Sequence, residues 1–403
     1  QLKEYEGQAI AIRSLMYFYL VRTFGDVPFI REAYVNGSQQ MSVAKSSEKE
    51  ILAGLVADLE MVETGNYLPG QYSSTDIAQN KGRMTMWAVK ALLADIYLWQ
   101  EEYEKCNRKC DEIIGSGQLL LVPVESRKIE VENTEEGTTD IYYAPDQSSY
   151  YSLFQQIYYQ GNSMESIFEL QFATDNLNPF YSLMSSGRGV IGVKTERVNS
   201  DIFPPLADEA YSGECFDIRS VISQSKSCLW KYIGVEPNGS ERAQEEYTNN
   251  FIIYRLAEIY LMKAEALTQM AILDSDNQEL LKEAYAAVKV IRDRSTAVAT
   301  TDIGQTEGSY SGKAMEEFVL AERGRELIFE GKRWFDVLRQ AKRNNYDGEN
   351  LNYLMTLAEY SAPASKVNSL KAKYRNYHSH YLPIYSEEID ANPLLEQNEF
   401  YAN

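Results

Sequence analysis

Histidine and cysteine are scarce in this chain of 403 residues, which has two histidines, His378 and His380, and four cysteines. A zinc site built on several histidines, or a Ser/His/Asp triad, would have to use one of these two histidines. Four cysteines are too few for a disulfide scaffold. No apolar run reaches the about 18 residues that a membrane-spanning helix needs, and the sequence opens on Gln1-Leu2-Lys3-Glu4 without a signal peptide. These absences argue against a histidine-rich metalloenzyme, a disulfide-stapled domain and a spanning protein.

Positively charged residues are also in the minority. The chain has 39 Lys and Arg and 59 Asp and Glu, so its formal net charge is -20. Such a chain repels phosphate backbones and anionic lipid surfaces, so nucleic acid is excluded as a partner. Hydrophobic residues make up 44% of the chain, which is ordinary for a folded protein. Tyrosine is abundant instead, with 30 copies, and its flat ring with a polar tip suits half-wet recognition surfaces.

Helical hairpins recur along the chain. Residues 84–117 have the periodicity of a tetratricopeptide (TPR) unit, with Cys106 and Cys110 as packed thiols in the seam between repeats. Three further pairs have the same pattern: 9–24 with 47–64, 250–270 with 279–294, and 315–329 with 332–342. The pattern predicts a mainly α fold, an α-α superhelix of four TPR-like helical pairs.

The periodicity fails between Leu119 and Tyr247, where short β-like runs alternate with Gly, Asn, Ser and Pro. Two runs, 166–172 and 229–233, read as strands, the second half-buried. A segment of this length inside a helical scaffold is usually functional. We therefore divide the chain into helical pairs at 1–118, an irregular insert at 119–247 that carries the ligand face, and a second helical region at 248–403.

Glu322, Glu326 and Glu330 lie four residues apart on one helix, with arginines interleaved. They are either a catalytic or metal-binding carboxylate set or a buried ion-pair ladder that fixes a turn between repeat helices, and the ladder is favoured because no histidine lies on the helix. The pair His378 and His380 lacks a neighbouring Cys or Asp cluster, and no phosphate-binding loop is present. We expect no catalytic residues, no metal ligands and no cofactor, and a structural calcium ion stays open.

Several segments together resemble the SusD/RagB family of outer-membrane nutrient-binding lipoproteins. Phe24-Gly-Asp-Val-Pro28 and Glu330-Gly-Lys-Arg-Trp-Phe-Asp336 are the most specific, and 87–117, 254–265 and 381–398 follow the family's order. The chain departs from the family pattern at Tyr385 and at Glu399-Phe400, where turns differ. Members normally begin with a lipoprotein signal and a lipid-bearing cysteine, so Gln1 is expected to start inside the mature protein.

The resemblance implies a SusD-like fold and a non-catalytic glycan-binding protein at the extracellular face of the outer membrane. Its partners would be a glycan, a SusC-like TonB-dependent transporter and a lipid anchor absent from this chain. A peptide-binding, RagB-like protein and, less favoured, a helical-hairpin glycosidase are the alternatives.

The family's ligand contacts vary, so the site residues rest on residue type and loop position. Stacking on aromatic rings with amide and guanidinium donors suits a sugar. The loop after Val27-Pro28 and the irregular insert supply the candidates, which are Tyr34, Asn36, Asn178, Tyr181, Arg188 and, more weakly, Trp230.

Overall fold

A computed structural model describes residues 2–133, 137–185, 191–224, 228–234, 236, 240–303, 309–346 and 348–402. By internal packing the chain splits into two compact units. Unit 1 consists of residues 1–69, 99–101 and 334–403, and unit 2 of residues 70–98 and 102–333. The units cut across the three segments drawn from the sequence, because segments from both ends of the chain pack together in unit 1.

The first helices of the chain are α1 (Leu2–Phe24), α2 (Glu48–Thr64), α3 (Ile77–Lys81), α4 (Met86–Trp99) and α5 (Tyr103–Ile114). The last helices are α14 (Arg333–Arg343), α15 (Gly348–Ser361), α16 (Val367–Tyr374) and α17 (Ser386–Ala391). Between them lie β1 (Ser126–Asn133), β2 (Thr138–Pro145), α6 (Gln147–Phe154), β3 (Ser166–Leu170), α7 (Tyr181–Met184), α8 (Thr195–Arg197), α9 (Arg219–Ile222), α10 (Trp230–Ile233), β4 (Phe251–Arg255), α11 (Leu256–Leu273), α12 (Gln278–Arg294) and α13 (Gly312–Glu326).

In unit 1, α1 packs on α2 through side chains such as Leu15 and Leu55, which are buried. The side chain of Ser47 caps α2 by accepting from the backbone N–H of Glu50 at 3.2 Å. Asp58 of α2 is also buried, and its carboxylate accepts from the guanidinium of Arg13 at 2.7 Å. The helix pair is thus held by an apolar seam and a charge pair.

The core of unit 2 is built around α11, which contacts α5, α12 and α13. Small and branched residues such as Ala264 and Leu267 let its neighbours approach on several sides, and both are buried. Cys106 and Cys110 of α5 are buried and unpaired to other cysteines, as predicted for thiols in a repeat seam. Burial and the neighbouring Cys110 raise the pKa of the Cys106 thiol.

The mainly helical class and strand β3 are confirmed, and two of the elements predicted from the sequence are wrong. Residues 250–255 form not the start of a helix but mainly β4, which pairs antiparallel with β3. The run Phe251-Ile-Ile-Tyr254 is β-branched and aromatic, so pairing overrides the helical period. Residues 230–233, predicted as a strand, form α10 instead.

Within the part of the chain that the structure describes, no helix combines the length and the apolarity needed to cross a bilayer.

Candidate functional site

Tyr34 and Asn36 lie in the loop that follows α1 in unit 1. The backbone N–H of Ser46 donates to the carbonyl of Val27 at 3.0 Å, and this bridge closes the base of the loop. The side chain of Tyr34 is 38% exposed. The Oδ1 atom of Asn36 accepts from the backbone N–H and the hydroxyl of Ser38 at 3.1 and 2.6 Å. The loop therefore presents an aromatic ring to solvent, while the amide oxygen of Asn36 shapes the turn beside it.

Asn178 has a structural position in the insert. Its Nδ2 atom donates to the carbonyl of Asn249 at 2.7 Å, and its Oδ1 atom accepts from the backbone N–H of Phe180 at 2.9 Å. Its own backbone N–H donates to the carbonyl of Tyr247 at 3.0 Å. The side chain is only 2% exposed. In this conformation Asn178 fastens two segments together, and its amide is not presented to solvent.

Tyr181 and Trp230 begin the short helices α7 and α10, and both rings are half-buried against the same cluster. Tyr181 meets Tyr247 edge to face with ring centroids 5.3 Å apart. Trp230 packs on the cluster that contains the buried rings of Tyr232 and Tyr247. The structure therefore brings Asn178, Tyr181 and Trp230 together around Tyr247. The remaining insert candidate, Arg188, lies outside the described residues.

The three glutamates of the predicted ladder belong to a larger ion-pair network in unit 2. We use this name for the buried acids Glu165, Asp217, Glu322, Glu326 and Glu330 with the buried bases Arg219, Lys231, Arg255, Arg292 and Arg325, together with Arg294, whose side chain is 7% exposed. Arg255 donates to Glu165 at 2.9 Å, to Glu326 at 2.7 Å and to Glu330 at 2.8 Å. Arg219 reaches Glu322 at 2.6 Å and Glu326 at 3.1 Å.

This geometry agrees with the ion-pair interpretation of the motif, but most partners come from outside its helix. Arg325, at 2.9 Å from Glu322, is an interleaved arginine of the kind the sequence suggested, whereas Arg219 and Arg255 come from outside the helix. Burial alone would raise the carboxyl pKa values, yet the surrounding cations outweigh it. They hold the pKa of Glu322 at about 2 and that of Glu330 at about 2, and they lower the pKa of Glu326 well below its usual range. Carboxylates fixed in the ionised state are unsuited to act as general acids near neutral pH.

The two histidines have different surroundings. His380 is buried with Nε2 at 2.8 Å from the carbonyl of Tyr374, and burial lowers its pKa. His378 is more exposed, with Nδ1 at 3.2 Å from a carboxylate oxygen of Glu399. Among the described residues, no three His, Cys, Asp or Glu side chains are grouped so as to hold a metal ion.

Trp87 and Lys81 border a pocket of about 330 Å³ in unit 2, and neither is among the candidate residues predicted from the sequence. Trp87 stands at a helical repeat position, where a large apolar residue reads as core. Lys81 lies in a polar run that reads as a loop, so neither residue carries a signal in the sequence.

Two family models match the chain at its two ends. The model described as the SusD family matches residues 223–401. A second model, described as starch-binding associating with outer membrane, matches residues 1–98. The chain belongs to the SusD/RagB family. The resemblance drawn from the motifs of the sequence is thereby confirmed.

Other SusD-like proteins align with nearly the whole chain. SusD-like protein P2 of Formosa agariphila is 25% identical over 85% of this chain and 66% of its own length. SusD-like protein P38 of the same organism is 22% identical over 99% of this chain and 74% of its own length. The chain therefore spans about two thirds to three quarters of the length of these curated relatives.

Solved SusD-like structures share the fold. A SusD-like carbohydrate binding protein from Bacteroides fragilis superposes with a TM-score of 0.65 at 18% identity, covering 98% of this chain and 80% of the other. Surface glycan-binding protein A from Bacteroides thetaiotaomicron, solved in complex with laminarihexaose, superposes with a TM-score of 0.61 at 22% identity, covering 98% and 78%. At these identities the likeness establishes the SusD fold of this chain.

Proposed function

We propose that this chain is a non-catalytic glycan-binding protein of the outer cell surface, and that it delivers its ligand to a TonB-dependent outer-membrane transporter. Membership of the SusD family carries the proposal, because one matching model describes starch binding and outer-membrane association. A solved protein of the same fold is described as a laminarin binding SusD-like protein. Laminarin is therefore the first probe for this chain.

Two candidate clusters, Tyr34 with Asn36 in the loop after α1 and Tyr181 with Trp230 in the insert, support a saccharide ligand. Tyr34 has an exposed ring in the loop after α1, and Tyr181 has a half-buried ring at the start of α7. Sugar rings present C–H faces that dock on aromatic planes, while their hydroxyls need polar partners. If each stacked ring contributes about 1 kcal/mol, two or three rings with hydrogen bonds give roughly millimolar to micromolar affinity.

Calorimetry on substituted proteins tests this placement. We expect Tyr34→Ala and Tyr181→Ala each to weaken binding of the best glycan by about 5-fold, and the double change by about 30-fold. Tyr143→Ala is the matched control, because Tyr143 is an exposed tyrosine of β2, 48% exposed, outside both clusters. Thermal melts check that each variant is folded. A folded double variant that binds as tightly as the parent contradicts the placement.

The ligand class needs its own test. An array of plant, host and microbial polysaccharides, with a peptide library in parallel, separates a glycan binder from a peptide binder. Exclusive capture of peptides would replace the proposal by its RagB-like alternative.

The absence of catalysis and the partner are tested separately. Incubation with the best glycan should leave its chain length unchanged, and accumulating fragments would reveal a glycosidase. The protein purified from outer membranes should copurify with a β-barrel protein of transporter size. If it purifies without such a protein, this counts against delivery to a transporter.

A further inference from the structure

A pocket of about 330 Å³ lies in unit 2, away from the candidate loop residues in sequence. The residues that line it include the aromatic Trp87, the basic Lys81, the amide residue Gln118 and the apolar Ile77 and Met164. Ile77 and Met164 are 46% and 45% exposed, so apolar surface faces solvent at the pocket. Pockets that hold small molecules range from about 300 to 1,000 Å³ and combine apolar walls with a few polar groups. This one has room for about one sugar ring.

Trp87 contributes a polar group without a protein partner. Its Nε1 atom is shielded from solvent, and no hydrogen-bond acceptor lies within reach of it among the described residues. A Cβ atom on Gly70, which also lines the pocket, would sit 3.1 Å from Nε1, so the glycine keeps this space free. Lys90 lies over the indole with Nζ at 5.4 Å from the ring centroid, and it is not part of the pocket wall. Buried N–H groups are normally paired. Because Nε1 is shielded from solvent, Trp87 offers a ligand its ring rather than this N–H group.

Lys81 brings positive charge to the same wall. Its Nζ atom donates to the carbonyl of Ser166 at 2.5 Å, which uses one of three N–H groups. Burial lowers the pKa of Lys81, and Glu169 opposes that shift in part. The carboxylate of Glu169 is itself occupied by the backbone N–H of Asn162 at 2.9 Å and by Nδ2 of Asn250 at 2.7 Å. Among the described residues, no Asp or Glu lines the pocket, although the chain as a whole carries a net charge of -20.

We propose that this pocket binds one pyranose ring that carries a carboxylate, as in a uronic acid residue, with Lys81 facing the carboxylate and Trp87 supplying an aromatic wall. The choice of a sugar rests on the proposed function, whereas the acidic substituent follows from the donors of the wall and its lack of acids. A charged partner for Lys81 makes a charge-assisted hydrogen bond, which is about twice as strong as a neutral one. The pocket would recognise an acidic sugar residue independently of Tyr34 and Tyr181.

Nuclear magnetic resonance of the indole N–H groups tests the pocket directly. The chain has four tryptophans, and the signal lost in Trp87→Phe identifies Trp87. We expect methyl β-D-glucuronide to shift this signal saturably, and methyl β-D-glucoside to bind at least about 5-fold more weakly. Lys81→Gln should abolish that preference, while Lys81→Arg should retain it because the cation stays.

Lys105→Gln is the matched control, because Lys105 is an exposed lysine of α5, 44% exposed at its side chain, and should leave the titration unchanged. The inference is overturned if the Trp87 signal does not move, if both glycosides bind equally, or if Lys81→Gln keeps the preference. If the pocket fails these tests while the protein still binds polysaccharide, only the inference about the pocket is wrong. If the Trp87 signal shifts saturably but the protein binds no polysaccharide, the proposed function is contradicted and the inference about the pocket is not.

Discussion

Replacing Glu326 by glutamine removes one negative charge from the centre of the ion-pair network and leaves the volume of the side chain almost unchanged. The carboxylate of Glu326 accepts from Arg255 at 2.7 Å and from Arg219 at 3.1 Å, and it also contacts Arg294. Glutamine keeps one carbonyl oxygen but turns an amide NH2 toward a guanidinium that can only donate. The variant therefore leaves buried cations short of negative charge.

The expected loss of stability is large because Glu326 and its three arginine partners are shielded from water. Glu326 is 2% exposed and Arg255 is 0% exposed, so water cannot replace the missing partner. Removing one member of a buried ion pair typically destabilises a protein by about 3–5 kcal/mol, whereas exposed pairs contribute little. We expect Glu326→Gln to lower the free energy of unfolding by about that amount.

Urea denaturation, followed by far-ultraviolet circular dichroism and by tryptophan fluorescence, measures this loss. Glu279→Gln is the matched control, because the chemical change is the same and Glu279 is 85% exposed in its pair with Lys282. Its unfolding curve should overlay that of the parent. If Glu326→Gln unfolds within about 1 kcal/mol of the parent with the same slope, the network does not hold unit 2 together and the reasoning fails.

Three further predictions concern the scaffold. The pKa values of Glu322 and Glu330 lie at about 2 in the folded chain against an ordinary value of 4.5, so the stability that these carboxylates contribute is complete above pH 4.5 and is lost as the pH falls toward 2. Urea denaturation at pH 7, 4 and 3 should show this decline in the free energy of unfolding, and a flat profile contradicts it. Cys106→Ala should cost about 1–2 kcal/mol, and thiol titration of the native chain should find Cys106 and Cys110 unreactive, so rapid labelling of either argues against the buried seam. Gly331→Ala should lower the free energy of unfolding by about 1–2 kcal/mol, because φ is +74° there and an added Cβ would meet no other atom. Gly213→Ala is the control for thermal unfolding, because Gly213 is equally uncrowded and has no positive φ, so its stability should stay unchanged.

The long helices follow from the sequence because their apolar period is a local property. The boundaries predicted for α2 and α12, 47–64 and 279–294, lie close to Glu48–Thr64 and Gln278–Arg294. β4 was missed because its strand character depends on pairing with β3, where Ser166 faces Arg255 from a distant part of the chain. A short apolar run that leads into a helix carries both periods, and only the partner strand decides between them.

The candidate site was less predictable, since burial of a polar loop residue depends on its tertiary partners. Asn178 beside Pro179 has the composition of a surface turn, yet Asn249 and Tyr247 enclose it. The spacing of Glu322, Glu326 and Glu330 correctly indicated an ion-pair ladder. It did not indicate Arg219 or Arg255, because residues 71 to 107 positions away from Glu326 cannot be paired with it from a single sequence.

The network is connected to the aromatic cluster of unit 2 on which the candidate residues Tyr181 and Trp230 pack. Lys231, which follows Trp230 in α10, donates from Nζ to the carbonyl of Glu326 at 2.9 Å and to the carboxylate of Glu330 at 2.8 Å. Lys231 is 2% exposed, so this anchor fixes the backbone of α10 against the end of α13. The neighbouring ring of Trp230 is thereby held on the cluster around Tyr247 without being part of the charge network. Rigid placement of half-buried rings reduces the entropy lost when a flexible ligand binds. Under the proposed function, the charged motif contributes by orienting aromatic side chains.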